Sequence, residues 1–108
     1  MKNKKINIAL VGFGNIGSYF YKTLINNKKY IFSKTGVVPN IKYISARNNK
    51  KKRKIKIPKG KWIQNSISLT KKKDIDIIVE LIGGADGMAK KVVFSALMNK
   101  KHVITANK

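Results

Sequence analysis

No cysteine occurs among the 108 residues, which excludes a disulfide scaffold and any thiolate metal site. A single histidine cannot build a histidine metal cluster, so no metal is expected. Only four acidic residues stand against 25 basic ones, giving a formal charge of +21. A long apolar run is also missing. Lys2, Lys4 and Lys5 ahead of an apolar stretch mimic a leader peptide, but Asn7, Gly12, Gly14 and Gly17 break that stretch well short of the roughly 20 residues a membrane span needs. These absences predict a mature domain in a reducing, cytoplasmic setting with no membrane partner.

What is present suffices for one small domain, since 43% of the residues are hydrophobic and can bury a core. The charge does not by itself name a ligand. There are 23 Lys but only 2 Arg, beside 16 Ile and 11 Asn, a composition that A/T-rich codons produce without selection for a partner. A chain selected to grip phosphates uses Arg more freely, because its planar fork binds them bidentately. Residues 47–61 hold nine basic side chains and no acidic one, and read as a solvated loop. No aromatic residue is interleaved with Lys50–Lys54 to stack bases, so no specific nucleic acid is expected.

Periodicity sets out alternating strands and helices. Ile6 to Val11 is a short apolar run suited to a strand buried on both faces, ended by Gly12. From Asn15, residues Ile16, Tyr19, Phe20, Thr23 and Leu24 predict one apolar face of a helix that stops near Asn26 and Asn27. Tyr30 to Asn40 reads as a connector, Ile41 to Ala46 as a second strand, and Trp62, Ile63 and Ile67 as the return to the body. Asp76 to Ile82 predicts another buried strand, cut by Gly83 and Gly84. A helix then starts near Asp86 as N-cap, with Ala89, Val92, Val93, Ala96 and Leu97 as its stripe and Asn99 as its left-handed terminator. His102 to Ala106 forms the last strand, with His102 a structural residue at its far end. Alternating strands and helices with no internal repeat predict an α/β fold with a parallel sheet, as one domain over 1–108.

Gly12-Phe13-Gly14-Asn15-Ile16-Gly17 is a G-x-G-x-x-G between a strand and a helix. The first glycine permits the tight turn, the second lets a pyrophosphate approach the backbone, and the third allows close helix packing. Free N–H groups and the positive end of the helix dipole favour phosphates there. NAD sites usually carry an acid about 20 residues beyond the glycines, to bind the ribose hydroxyls, and this chain offers none. Arg47 instead follows the second strand, where it can stack on adenine and pair with a 2′-phosphate, so NADP is favoured over NAD. Glu80, inside an apolar strand, reads as a structural carboxylate bonded to nearby backbone rather than a catalytic one. Lys108, beyond the last strand on the same edge, can donate to a nicotinamide-ribose or substrate oxygen, against an ordinary reading as a solvated lysine.

VGFGNIGS, VELIGG and KHVITANK, in this order and spacing, resemble the amino-terminal part of homoserine dehydrogenase from Ile6 to Lys108. The resemblance implies an α/β fold with a Rossmann-type doubly wound parallel sheet, comprising the NAD(P)-binding half only, and NAD(P)-dependent interconversion of homoserine and aspartate 4-semialdehyde, in the route to threonine and methionine. It implies cofactor contacts for Gly12, Phe13, Gly14, Asn15, Ile16 and Gly17, for Arg47 at the adenine-ribose end, and for Ile82 and Gly83 beside the nicotinamide half. It implies for Lys108 contact with cofactor and substrate, as a proton-transfer or electrostatic residue. Two departures stand out. The family usually has Gly where this chain has Lys100, so the terminator here is Asn99 or a strained Lys. The family's substrate-binding acid and second catalytic lysine lie in a later domain, absent from these 108 residues; turnover by them alone is therefore expected to be slight, with substrate and any homo-oligomer needing that domain. The competing readings are another amino-acid or semialdehyde dehydrogenase, or a non-catalytic dinucleotide- or polyanion-binding module.

Overall fold

The computed structural model describes residues 4–46, 57–82 and 87–106. Four strands run parallel in one sheet: β1 (Lys4–Val11), β2 (Val37–Ser45), β3 (Ile77–Glu80) and β4 (His102–Thr105), in the order β2-β1-β3-β4. Helices α1 (Asn15–Asn26) and α2 (Lys28–Thr35) join β1 to β2, a single turn α3 (Ser66–Leu69) precedes β3, and α4 (Met88–Met98) joins β3 to β4. The chain moves outward from β1 to β2 and then crosses to the other side of β1, so the topology reverses between β1 and β3. Open α/β sheets bind ligands beside such a reversal, outside the carboxyl ends of the strands.

The core explains the apolar run of β1. Ile8 and Leu10 join one buried cluster with Phe13, Tyr21, Ile41, Ile44 and Val79. Ala9 and Val11 join the opposite cluster with Leu69, Ile75, Ile78, Val92 and Ala96. Successive side chains alternate between faces, and both faces are covered, so no polar position is needed until Asn7.

Several boundaries and faces differ from the expectations. The stripe of α1 is rotated: Gly17 and Tyr21 are buried with Phe20 and Leu24 packed beside them, whereas Ile16 is 64% and Tyr19 73% exposed. Close packing of Gly17 on the preceding turn fixes that orientation, which hydrophobicity alone did not reveal. The connector at 30–40 contains most of α2, which fully buries no residue and so shows no apolar stripe. β2 starts at Val37, earlier than expected, and carries Pro39 on an edge strand, where a missing N–H is tolerated. β3 spans only Ile77–Glu80. The cap of α4 is Gly87, Leu97 is exposed, and the expected Asp86 cap lies outside the described residues.

The terminator of α4 is Lys100 rather than Asn99. Asn99 has φ −96°, while Lys100 takes φ +61°. Lys100 N–H donates to Leu97 O at 3.0 Å and Lys101 N–H to Ala96 O at 2.9 Å, the paired bonds of a Schellman closure. A side-chain-bearing residue thus occupies the left-handed position that Gly fills with least strain.

Candidate dinucleotide site

Register builds the site before any side chain does. Val11 pairs with Ser45 on one side and Glu80 on the other, and Glu80 pairs with Thr105. The four carboxyl-terminal residues therefore form one row, and the segments that follow all leave the sheet at the same edge. That edge gathers Gly12, Ala46, Leu81-Ile82 and Ala106. Arg47, Gly83 and Lys108 follow these segments in sequence but lie outside the described residues.

The three glycines do separate jobs. Gly12 has φ +103°, and a Cβ there would stand 2.7 Å from Leu81 C and 2.9 Å from Ile82 N, so the turn after β1 lies directly against the turn after β3. Its N–H donates to Ser45 O at 2.8 Å, tying the same turn to β2. A Cβ on Gly17 would fall 2.2 Å from Gly12 O, which seats the first turn of α1 on the end of β1. Gly14 is the opposite case, with no atom within 4 Å of its missing Cβ. It is the N-cap of α1, exposed, with no side-chain capping bond and no acidic residue in the first turn. The first bond of this helix runs from Ser18 N–H to Gly14 O at 2.9 Å, so the preceding first-turn amides have no intrahelical acceptor. A surface open at Gly14, with free amides at the positive end of a helix, fits a diphosphate group.

The side chains in this loop divide by role. Phe13 is only 5% exposed and meets Tyr21 and Trp62 edge-on, with centroid distances of 5.8 and 5.6 Å. Its side chain belongs to the core, leaving only main chain to face a ligand. Asn15 and Ile16 are exposed on the outer side of the turn. Ile82 is half-buried and packs against the second cluster, and its N–H donates to Glu80 Oε2 at 2.7 Å. Glu80 is fully buried and also accepts from the Thr105 hydroxyl, in keeping with a structural carboxylate. His102 is exposed at the opposite end of β4.

Three acids lie among the described residues, and all three are engaged on β3 or just before it. Asp74 accepts a salt bridge from Lys42 at 2.7 Å and a hydrogen bond from the Tyr43 hydroxyl at 3.0 Å. These neighbours reach one carboxylate because the register between β1 and β2 slips after Ile8, leaving Lys42 as an extra residue. The Lys42 contact, followed by the Tyr43 hydrogen bond, holds the Asp74 carboxyl below its ordinary value against the opposing effect of desolvation. Asp76 accepts from Asn7 N–H at 2.8 Å.

Sequence reasoning missed Thr105, because its link to Glu80 depends on which strands are neighbours. It also missed Asn65, whose side chain accepts from the N–H groups of Ile67 and Ser68 to start α3. An Asn ahead of a possible turn was a readable cap signal there. A separate cavity of about 100 Å³, bordered by Tyr21, Leu24, Ile41 and Lys61, lies away from the carboxyl edge and is too small for a dinucleotide. Burial, reinforced by Lys28 and Lys5, lowers the pKa of Lys61, whose ammonium donates to Ile41 O at 2.6 Å. No described helix is long and apolar enough to cross a membrane.

The family model described as the NAD-binding domain of homoserine dehydrogenase matches residues 12–108. Homoserine dehydrogenase of Neisseria gonorrhoeae is 35% identical over 105 residues, covering 97% of this chain and 24% of that protein. The Bacillus subtilis enzyme of the same name is 31% identical over 105 residues, with the same coverage of both chains. A crystal structure of S. aureus homoserine dehydrogenase at pH 8.5 superposes with a TM-score of 0.88 at 37% identity, over 99% of this chain and 27% of that one. The chain thus spans about a quarter of the length of the curated relatives it matches.

Proposed function

Because the chain belongs to the family of homoserine dehydrogenase NAD-binding domains, and so to proteins that take a nicotinamide dinucleotide, we propose that it is the cofactor-binding part of an enzyme that interconverts homoserine and aspartate 4-semialdehyde. The observation that carries this reading is the turn after β1, where open Gly14 and uncapped amides adjoin the turn after β3. When bound, the dinucleotide supplies or accepts the hydride. The main chain of Gly12 to Gly17 holds the diphosphate, and Ile82 and Gly83 border the nicotinamide half. Lys108 donates to cofactor and substrate oxygens, where an ammonium stabilises the negative charge that builds as hydride reaches an aldehyde.

NADP is the preferred form in this reading, supported by the lack of an acid beyond the glycines and by Arg47 after β2. Residues 1–108 serve as the nucleotide-binding domain, working in the cytoplasm; substrate-binding groups and any homo-oligomer contacts belong to the rest of the enzyme. Equilibrium titration with NADPH, NADH and a single-stranded oligonucleotide at two salt concentrations tests this. NADPH should bind more tightly than NADH, with slight homoserine oxidation by these residues alone. Binding of the oligonucleotide alone, falling steeply with salt, would instead support the polyanion-binding reading.

A further inference from the structure

Glu80 is a fully buried carboxylate that no catalytic or cofactor contact above uses. Its neighbours Ile78 and Val79 are buried and apolar, and an apolar side chain at position 80 would avoid the desolvation cost of a carboxylate. Among the described residues no cation pairs with it. Its two oxygens instead meet two different segments: Oε2 accepts from Ile82 N–H at 2.7 Å, in the turn after β3, and Oε1 accepts from the Thr105 hydroxyl at the end of β4. Main chain strengthens the same junction, since Ala106 N–H donates to Glu80 O at 3.1 Å.

We propose that Glu80, with Thr105, is a positioning pair for the nicotinamide half of the dinucleotide. The proposal rests on the dinucleotide reading above. The diphosphate turn sits at the end of β1, β2 takes the adenosine side, and the crevice on the other side is bordered by β3 and β4. One carboxylate ties together the two segments that border that second half, at Ile82 and at Thr105. The carboxylate's side-chain bonds run to the turn after β3 and to the end of β4, on the side of β1 away from β2, so its effect should divide between the two halves of the ligand.

The test compares NADPH with 2′-phospho-ADP, which keeps the diphosphate but lacks the nicotinamide nucleoside, by calorimetry on the whole chain and on Thr105→Val, Thr105→Ser and Glu80→Gln. Valine removes the hydroxyl while keeping the branched shape a strand favours, and Thr105 is exposed, so folding should survive. Thr105→Val and Glu80→Gln should weaken NADPH about tenfold, the loss of one hydrogen bond to a charged group, while 2′-phospho-ADP stays within about twofold. Thr105→Ser should behave as the parent. Equal weakening of both ligands would make the pair merely structural, and no change in either would remove its role; both results overturn the proposal. If the parent chain binds neither ligand, the dinucleotide reading itself has failed.

Discussion

The turn after β1 and the turn after β3 meet at one point in the sheet but are built in different ways. The first is made by main chain and by missing side chains: Gly12 and Gly17 admit backbone approaches that a Cβ would block, and Gly14 leaves a surface open. The second is held by a side chain, the buried carboxylate of Glu80, which reaches Ile82 and Thr105. A glycine-built turn is defined within six consecutive residues, whereas a carboxylate-held turn depends on a strand 25 residues away in sequence. The first tolerates no added atom where backbones touch; the second tolerates changes of shape but not loss of a partner.

The largest effect should come from the aromatic residue inside the glycine turn. Phe13→Ala empties a buried site between Tyr21 and Trp62 and should cost about 3–5 kcal/mol in urea unfolding, whereas Ile16→Ala, on the exposed side, should stay within about 0.5 kcal/mol. Equal effects would mean that both side chains face the same environment. Next is Gly17→Ala, which sets a methyl against the Gly12 carbonyl and should cost about 3 kcal/mol, the upper end for overpacking, because backbone rather than a flexible side chain must yield. A neutral result would show that α1 is not seated on the end of β1.

Lys100→Gly sharpens the comparison from the other direction, by adding a glycine where the backbone already needs one. Relief of a left-handed side-chain-bearing residue outweighs the added freedom of the unfolded chain, so stability should rise by about 0.5–1 kcal/mol. A loss on thermal unfolding would contradict the Schellman closure at Lys100. The smallest effect concerns Asp74, a half-buried carboxylate unlike the fully buried Glu80. Its folded-state pKa lies below the ordinary value, so its contribution is present above the unfolded value of about 3.9 and is lost as pH falls through the lower folded one. Unfolding at pH 6 and pH 3 should show a smaller acid loss for Asp74→Asn than for the parent chain; equal losses would dismiss the Lys42 and Tyr43 contacts as stabilising.

The same contrast explains what was legible in the sequence. β1, the glycine turn and the start of α1 carry local signals, and each was readable. α2 was not, because it buries no residue fully, and the exposed sides of Ile16 and Tyr19 were misread because a glycine, not hydrophobicity, orients α1. Glu80 was legible as a buried carboxylate bonded to backbone, but its second partner was not, since only strand order brings Thr105 beside it. Lys100 was readable as one of two terminators, and only the backbone angle distinguishes it from Asn99.

Gly14→Ala tests the central claim most directly, because it separates folding from ligand approach. Nothing lies within 4 Å of the added methyl, so the unfolding free energy should change by no more than about 1 kcal/mol. NADPH affinity, titrated on the same samples, should fall at least about tenfold as the methyl meets the diphosphate. Unchanged NADPH affinity in a folded Gly14→Ala chain would show that the dinucleotide does not lie on this turn.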